Sequence, residues 1–174
     1  MNTAIVGASG YGGEVLVKLL AAHPKVDLVA ITSRSEAGKP VSQVMSQLRG
    51  SLDGLVFEKS DPEAIAARDD IECVFLAVPH GVAAEYAGPI TRSGKQVIDC
   101  SADFRISDPA IYEEYYGQPH PDTDVLSRAV YVLPEIAKDG WTDASVFACP
   151  GCYPTSILVP LYPLIRAKII GTSG

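Results

Sequence analysis

Cys149-Pro150-Gly151-Cys152-Tyr153-Pro154-Thr155 is the stretch with the clearest capacity for covalent chemistry. The apolar run Ser145-Val146-Phe147-Ala148 before it reads as a short strand, and Ser156-Ile157-Leu158-Val159 after it as the opening of a helix. A cysteine in a Gly/Pro turn at a helix start gains from the helix dipole and from free backbone N–H groups. Both favour thiolate over thiol, and the thiolate is the nucleophile. The plainer reading is a small residue filling a tight turn. Cys149 and Cys152 also form a C-x-x-C pair, for which reversible oxidation is open.

A second chemical signature lies at the other end of the chain. Thr3-Ala4-Ile5-Val6 is a β-type run that breaks into Gly7-Ala8-Ser9-Gly10-Tyr11-Gly12-Gly13, and Glu14 to Ala22 then has helical spacing up to His23-Pro24. Strand, Gly-rich turn and helix make the first half of a dinucleotide-binding βαβ unit, in which the pyrophosphate sits on the helix N-terminus. The glycines at 7, 10 and 13 depart from strict G-x-G-x-x-G spacing. Gly7, Ser9, Gly10, Tyr11, Gly12 and Gly13 are the expected cofactor contacts. A second strand over Asp27 to Ile31 leads to Thr32-Ser33-Arg34-Ser35. Hydroxyls and an arginine stand where an NAD enzyme tends to carry an acidic residue, so Ser33 and Arg34 point to the 2′-phosphate of NADP(H). Arg34 as a plain surface charge is the competing reading.

The elements between these signatures follow a repeating order. A helix and loop are expected within Lys39 to Leu55, a brief strand at Val56-Phe57, and a helix from Asp61-Pro62-Glu63 through Ala67, with Asp61 as N-cap and proline at N1. Glu72 to Val78 is a near-continuous apolar run, as a parallel strand buried on both faces requires, and Cys73 belongs to its core. Pro79-His80-Gly81 caps that strand before a helix over Val82 to Thr91; Pro79 and His80 are expected beside the cofactor, with a solvated His80 the alternative. The next strand, Gln96 to Asp99, releases Cys100-Ser101-Ala102-Asp103-Phe104-Arg105. Here Ser101 and Arg105 are candidates for substrate contact, against local loop bonding by Asp and Ser side chains. A short helix from Pro109, a strand over Ala129 to Val132 and the turn Leu133-Pro134-Glu135 complete the run, with Glu135 a further substrate-side candidate. Alternating strands and helices predict an α/β fold, a Rossmann-type doubly wound and mostly parallel sheet over residues 1–148. Residues 149–174 follow that domain and hold the nucleophile loop and a further helix.

Composition is compatible with that reading. The 174 residues are 47% hydrophobic and 20% charged, with a net charge of −7 and no Lys/Arg cluster, which argues against a nucleic-acid surface. No run approaches the roughly 18 apolar residues of a membrane span. Four cysteines behind an N-terminus that enters strand and turn at once, without a basic leader, suggest a reducing, cytoplasmic setting.

Five motifs, in order, resemble N-acetyl-gamma-glutamyl-phosphate reductases of arginine biosynthesis: Gly7 to Gly13, Phe75-Leu76-Ala77-Val78-Pro79-His80-Gly81, Val97 to Arg105, Leu133-Pro134-Glu135 and Pro150 to Thr155. The sister enzymes acting on the aminoadipate analogue are similar; aspartate-semialdehyde dehydrogenases are more distant and lack the Gly-Cys-Tyr-Pro-Thr form. The resemblance implies a small-molecule acyl-phosphate substrate, NADPH as hydride donor, Cys152 as the nucleophile that forms a thioacyl intermediate, no metal, and a homo-oligomer. It also marks two departures. Family members usually carry asparagine at position 149. They also run to about twice this length, with a second α+β domain that carries a catalytic histidine and the dimer interface, whereas His23, His80 and His120 all precede Cys152. The resemblance implies that residues 149–174 are the nucleophile loop and first helix of that domain, incomplete here. The chain is therefore expected to be a fragment that turns over poorly alone. Two other functions are compatible with the residues: a non-catalytic NADP-binding regulatory domain, and a dithiol module built on Cys149 and Cys152.

Overall fold

The computed structural model describes residues 1–50, 52–137 and 139–171. Among the described residues seven strands form one sheet: β1 (Asn2–Val6), β2 (Asp27–Ser33), β3 (Phe57–Lys59), β4 (Cys73–Leu76), β5 (Gln96–Asp99), β6 (Ala129–Tyr131) and β7 (Val146–Ala148). Their order is β3-β2-β1-β4-β5-β7-β6, and every neighbouring pair is parallel. The doubly wound α/β expectation holds, and the sheet is more uniformly parallel than expected.

Period-two alternation distributes the strand side chains between two cores. Ala4, Val6, Val74, Leu76, Val97, Val146 and Ala148 face one side, packed with Ile65, Tyr86 and Ile90 from α3 (Pro62–Ala66) and α4 (Ala83–Arg92). Ile5, Ile31 and Phe57 face the other, against Val17 and Leu20 of α1 (Tyr11–Ala21) and Val41 of α2 (Val41–Val44). Because both faces are covered, the strands read as apolar runs. Cys73 is a buried core residue, and burial raises its thiol to about 11.

Helix boundaries follow local chemistry. Asp61 caps α3 by accepting from the Glu63 and Ala64 N–H groups, with Pro62 at N1, as the sequence predicts. Asp108 caps α5 (Pro109–Tyr116) in the same way. α1 starts at Tyr11, three residues earlier than apolar spacing indicates, because the Gly10 carbonyl already accepts from the Glu14 N–H at 2.8 Å. A short helix α6 (Thr123–Leu126), capped by Asp122, was not apparent from the sequence; it buries Val125 and Leu126. The 39–55 region contains α2 and a 3₁₀ turn at Ser46–Leu48. α7 (Cys152–Arg166) continues through Pro160 and Pro163, and none of its residues is buried.

In a parallel sheet all carboxyl ends lie on one rim. The order reverses between β1 and β4: β2 and β3 lie beyond β1, and β5, β7 and β6 beyond β4. Open α/β sheets bind ligands at that switch point. Gly7, Ser33, Ala77, Cys100 and Cys149 each follow or end a strand there.

Candidate active site

The Gly-rich turn is shaped by steric necessity. Gly7 has φ +81°, and a methyl group on it would collide with the Ala77 carbonyl oxygen of the strand alongside. A methyl on Gly13 would strike the Gly7 carbonyl oxygen and stand 2.6 Å from Ala8 Cα. These two glycines let α1 begin directly against the end of β1. Gly12 meets nothing within 4 Å, so no steric demand selects glycine there. The first-turn N–H groups of such a helix have no intrahelical partners and are available to an anion.

Two clefts flank the turn. One, of about 210 Å³, is lined by Gly7, Ser9, Gly10, Ser33, Arg34 and Pro79, together with Ser60 and Tyr86, which sequence reasoning missed. The other, of about 510 Å³, is lined by Gly12, Val15, Leu16 and Cys100, and shares Ala77 and Val78 with the first. Most of the expected cofactor residues thus converge. Arg34 is exposed at the edge of the first cleft, and Tyr11 is 97% exposed above α1 without lining either.

Three expected contacts have other work. Ser33 is buried: its hydroxyl pairs with Ser9 Oγ at 2.6 Å and accepts from the Ser35 and Glu36 N–H groups, joining β2 to the Gly-rich turn. It shapes the cleft wall. His80 stacks on Tyr116 at 4.2 Å between ring centroids, with Nδ1 2.8 Å from the buried Asp103 carboxylate, and lines neither cleft. The cause is Asp103, which also accepts from the Gly81 and Ala84 N–H groups at the start of α4. Ser101 is likewise buried, donating from its hydroxyl and its N–H to Asp99 and accepting from the Asp103 N–H. Ser101 thus makes the bonds of the local-bonding reading.

Arg105 joins the loop to the nucleophile turn. Its Nε donates to the Cys149 carbonyl at 2.8 Å and its Nη2 to the Cys100 carbonyl at 3.0 Å. Its Nη1 is close enough to Gly151 that a Cβ there would lie 3.0 Å away. Gly151 is the N-cap of α7, its carbonyl accepts from the Thr155 N–H and hydroxyl, and Cys152 is the exposed first residue of the helix. Glu135 is exposed in a turn and lines none of the clefts described.

Burial raises the Asp99 carboxyl to about 6, partly offset by hydrogen bonds from Ser101. Folded Asp99 therefore binds its proton more tightly than in the unfolded chain. The stability this adds is fully present below about pH 4 and is lost as pH rises through about 6. The unfolding free energy of the wild type from urea titration, referenced to Asp99→Asn, should accordingly fall by on the order of 2 to 3 kcal/mol between pH 4 and pH 7. A flat difference would show that Asp99 is not desolvated.

Comparison with known proteins assigns the chain a family. The family described as "Semialdehyde dehydrogenase, NAD binding domain" matches residues 2–144. The chain belongs to that family. Its semialdehyde-dehydrogenase-type domain is similar to N-acetyl-gamma-glutamyl-phosphate reductases from Akkermansia muciniphila (52% identical over 98% of this chain and 49% of that protein) and Nitrosococcus oceani (46% over 99% and 50%). The chain spans about half the length of the curated relatives it matches. Among solved structures, aspartate semialdehyde dehydrogenase with NADP from Candida albicans superposes with a TM-score of 0.66 at 17% identity, over 95% of this chain and 46% of that one. The Vibrio cholerae aspartate semialdehyde dehydrogenase II complex gives 0.65 at 20%, over the same shares. These two likenesses concern the fold. Among the described residues no helix is long and apolar enough to cross a membrane.

Proposed function

We propose that this chain is the dinucleotide-binding, nucleophile-bearing half of an NADPH-dependent reductase that converts N-acetyl-gamma-glutamyl phosphate to the semialdehyde. The observation that carries the reading is the position of Cys152 at the first residue of α7, tied through Gly151 and Arg105 to the rim that holds the Gly-rich turn. The cradle fits a dinucleotide: a β-carbon at Gly7 or Gly13 would fill the space that brings helix α1 up to the strand end, and the two clefts lie on either side of it. In this reading Gly10 to Gly13 hold the pyrophosphate and Arg34 the 2′-phosphate, with Ser33 fixing the wall behind it.

The Cys152 sulfur attacks the acyl carbon; the C–S bond forms, the C–O bond to phosphate breaks, and inorganic phosphate leaves with the bonding pair. Cys152 then holds the acyl group as a thioester. Bound NADPH supplies the hydride that reduces such a thioester to an aldehyde. The α7 N-terminus offers backbone N–H groups to the developing oxyanion, and Arg105 Nη1 faces the same turn. Residues 149–174 belong, in this proposal, to a second domain shared with the rest of a cytoplasmic homo-oligomer. Exposed Tyr153 (80%) and Ile157 (54%) on α7 are apolar surface for it to cover.

Calorimetric titration with NADPH and NADH tests the cofactor assignment. NADPH should bind the tighter, and Arg34→Ala should weaken NADPH by about tenfold or more while leaving NADH nearly unchanged, as loss of one charge-assisted phosphate contact implies. Equal loss for both dinucleotides would remove Arg34 from the 2′-phosphate. A regulatory domain without catalysis would bind NADPH equally well but leave Cys152 unacylated.

A further inference from the structure

The sequence pairs Cys149 with Cys152, but the fold pairs Cys149 with Cys100. β5 and β7 are parallel neighbours in which Asp99 is opposite Ala148, so the next residues, Cys100 and Cys149, are opposite one another. The Cys149 N–H donates to the Asp99 carbonyl at 2.8 Å, carrying the ladder one step past the strands. Partners in adjacent parallel strands lie about 4.8 Å apart and project to the same face. Disulfides span Cα separations of about 4.4–6.8 Å. The Arg105 guanidinium bonds both cysteine carbonyls and fixes the two ends side by side. Cys152 has instead left this ladder as the first residue of α7.

We infer that Cys100 and Cys149 form a redox-sensitive dithiol that closes to a disulfide across the ends of β5 and β7 and leaves Cys152 free. Cys100 is exposed and lines the cleft beside Gly12, Ala77 and Val78, and Cys149 is half-buried, so a small oxidant reaches the pair from the cofactor side. The strongest influence on each thiol is hydrogen bonding with the other: it holds Cys149 below the ordinary thiol range and pushes Cys100 up. Cys149 is thus the attacking sulfur. With a diffusible disulfide such as oxidised glutathione, the Cys149 thiolate forms a mixed disulfide and expels one glutathione thiolate. Cys100 sulfur then attacks Cys149 Sγ and expels the second. The two cysteines lose two electrons and two protons, and the diffusible disulfide gains both as two thiols.

The test is peptide mapping of the reduced, native chain after exposure to oxidised glutathione and alkylation of the remaining thiols. Two of the four thiols should be lost, and the cross-link should join the tryptic peptides 96–105 and 139–166. Fragmentation should place the bond at Cys149 and the alkyl group at Cys152. The Cys152→Ser variant should form the same cross-link, and dithiothreitol should restore both thiols. A bond between Cys149 and Cys152, or glutathione mixed disulfides with no internal bond, would overturn the inference.

Discussion

Cys152→Ser is expected to abolish single-turnover phosphate release from N-acetyl-gamma-glutamyl phosphate, by on the order of 10³-fold or more, while NADPH binding stays within about twofold. Serine keeps the size and the place at the start of α7 but replaces sulfur with a hydroxyl that is a far weaker nucleophile at neutral pH. Cys152 is exposed, so the substitution should leave the unfolding free energy in urea unchanged to within about 0.5 kcal/mol. Separation of the two readouts matters: loss of phosphate release with intact folding and cofactor binding assigns the sulfur a chemical role. Cys100→Ser provides the comparison. Its side chain lines the neighbouring cleft, and it should retain phosphate release.

Gly13→Ala should produce the second large effect. The added methyl has to displace backbone, the Gly7 carbonyl and Ala8, in a turn held by Ala8 N–H to the Thr32 carbonyl and Gly10 N–H to the Gly7 carbonyl. Backbone cannot swing aside as a flexible side chain can. The expected cost is about 2–4 kcal/mol in stability, with NADPH affinity lowered about 100-fold because α1 is pushed off the strand end. Gly12→Ala, one residue earlier, meets open space and should be neutral or stabilising by up to about 1 kcal/mol. Equal behaviour of the two variants in urea unfolding would contradict the packing described for this turn.

Much of the fold was legible because the strands are buried on both faces, and their apolar runs announce that burial; β4 and β5 lie within a residue or two of where composition places them. Asp61-Pro62 and Pro109 mark helix starts for local reasons that a sequence carries openly. The start of α1 was less legible, since Gly12 and Gly13 are poor helix formers; the Glu14 N–H bond to the Gly10 carbonyl sets it, and the close fit of Gly13 against Gly7 permits it. α6 had its capping aspartate, Asp122, in plain view, but four residues offer no periodicity to recognise.

The site divides along the same line. Glycines at a strand end, and an arginine after the second strand, can be read from order alone, and they converge on one cleft. The polar residues Ser33, His80 and Ser101 could not be assigned so simply. Whether such a side chain faces a ligand or a neighbouring backbone depends on partners distant in sequence. Asp103 claims His80 from 23 residues away, and Ser9 claims Ser33 from 24. Cys149 is the sharpest case: three residues from Cys152 along the chain, it is opposite Cys100 because of strand register, a relation that no local spacing reveals.

In the proposed reaction Cys152 accepts the acyl group at a rim that holds NADPH. The most direct measurement is mass spectrometry of the native chain quenched in acid after mixing with N-acetyl-gamma-glutamyl phosphate. One acyl adduct is expected, on Cys152, labile to hydroxylamine as a thioester is and absent from Cys152→Ser. An adduct on Cys100 or Cys149, or none in a chain that binds NADPH, would contradict it.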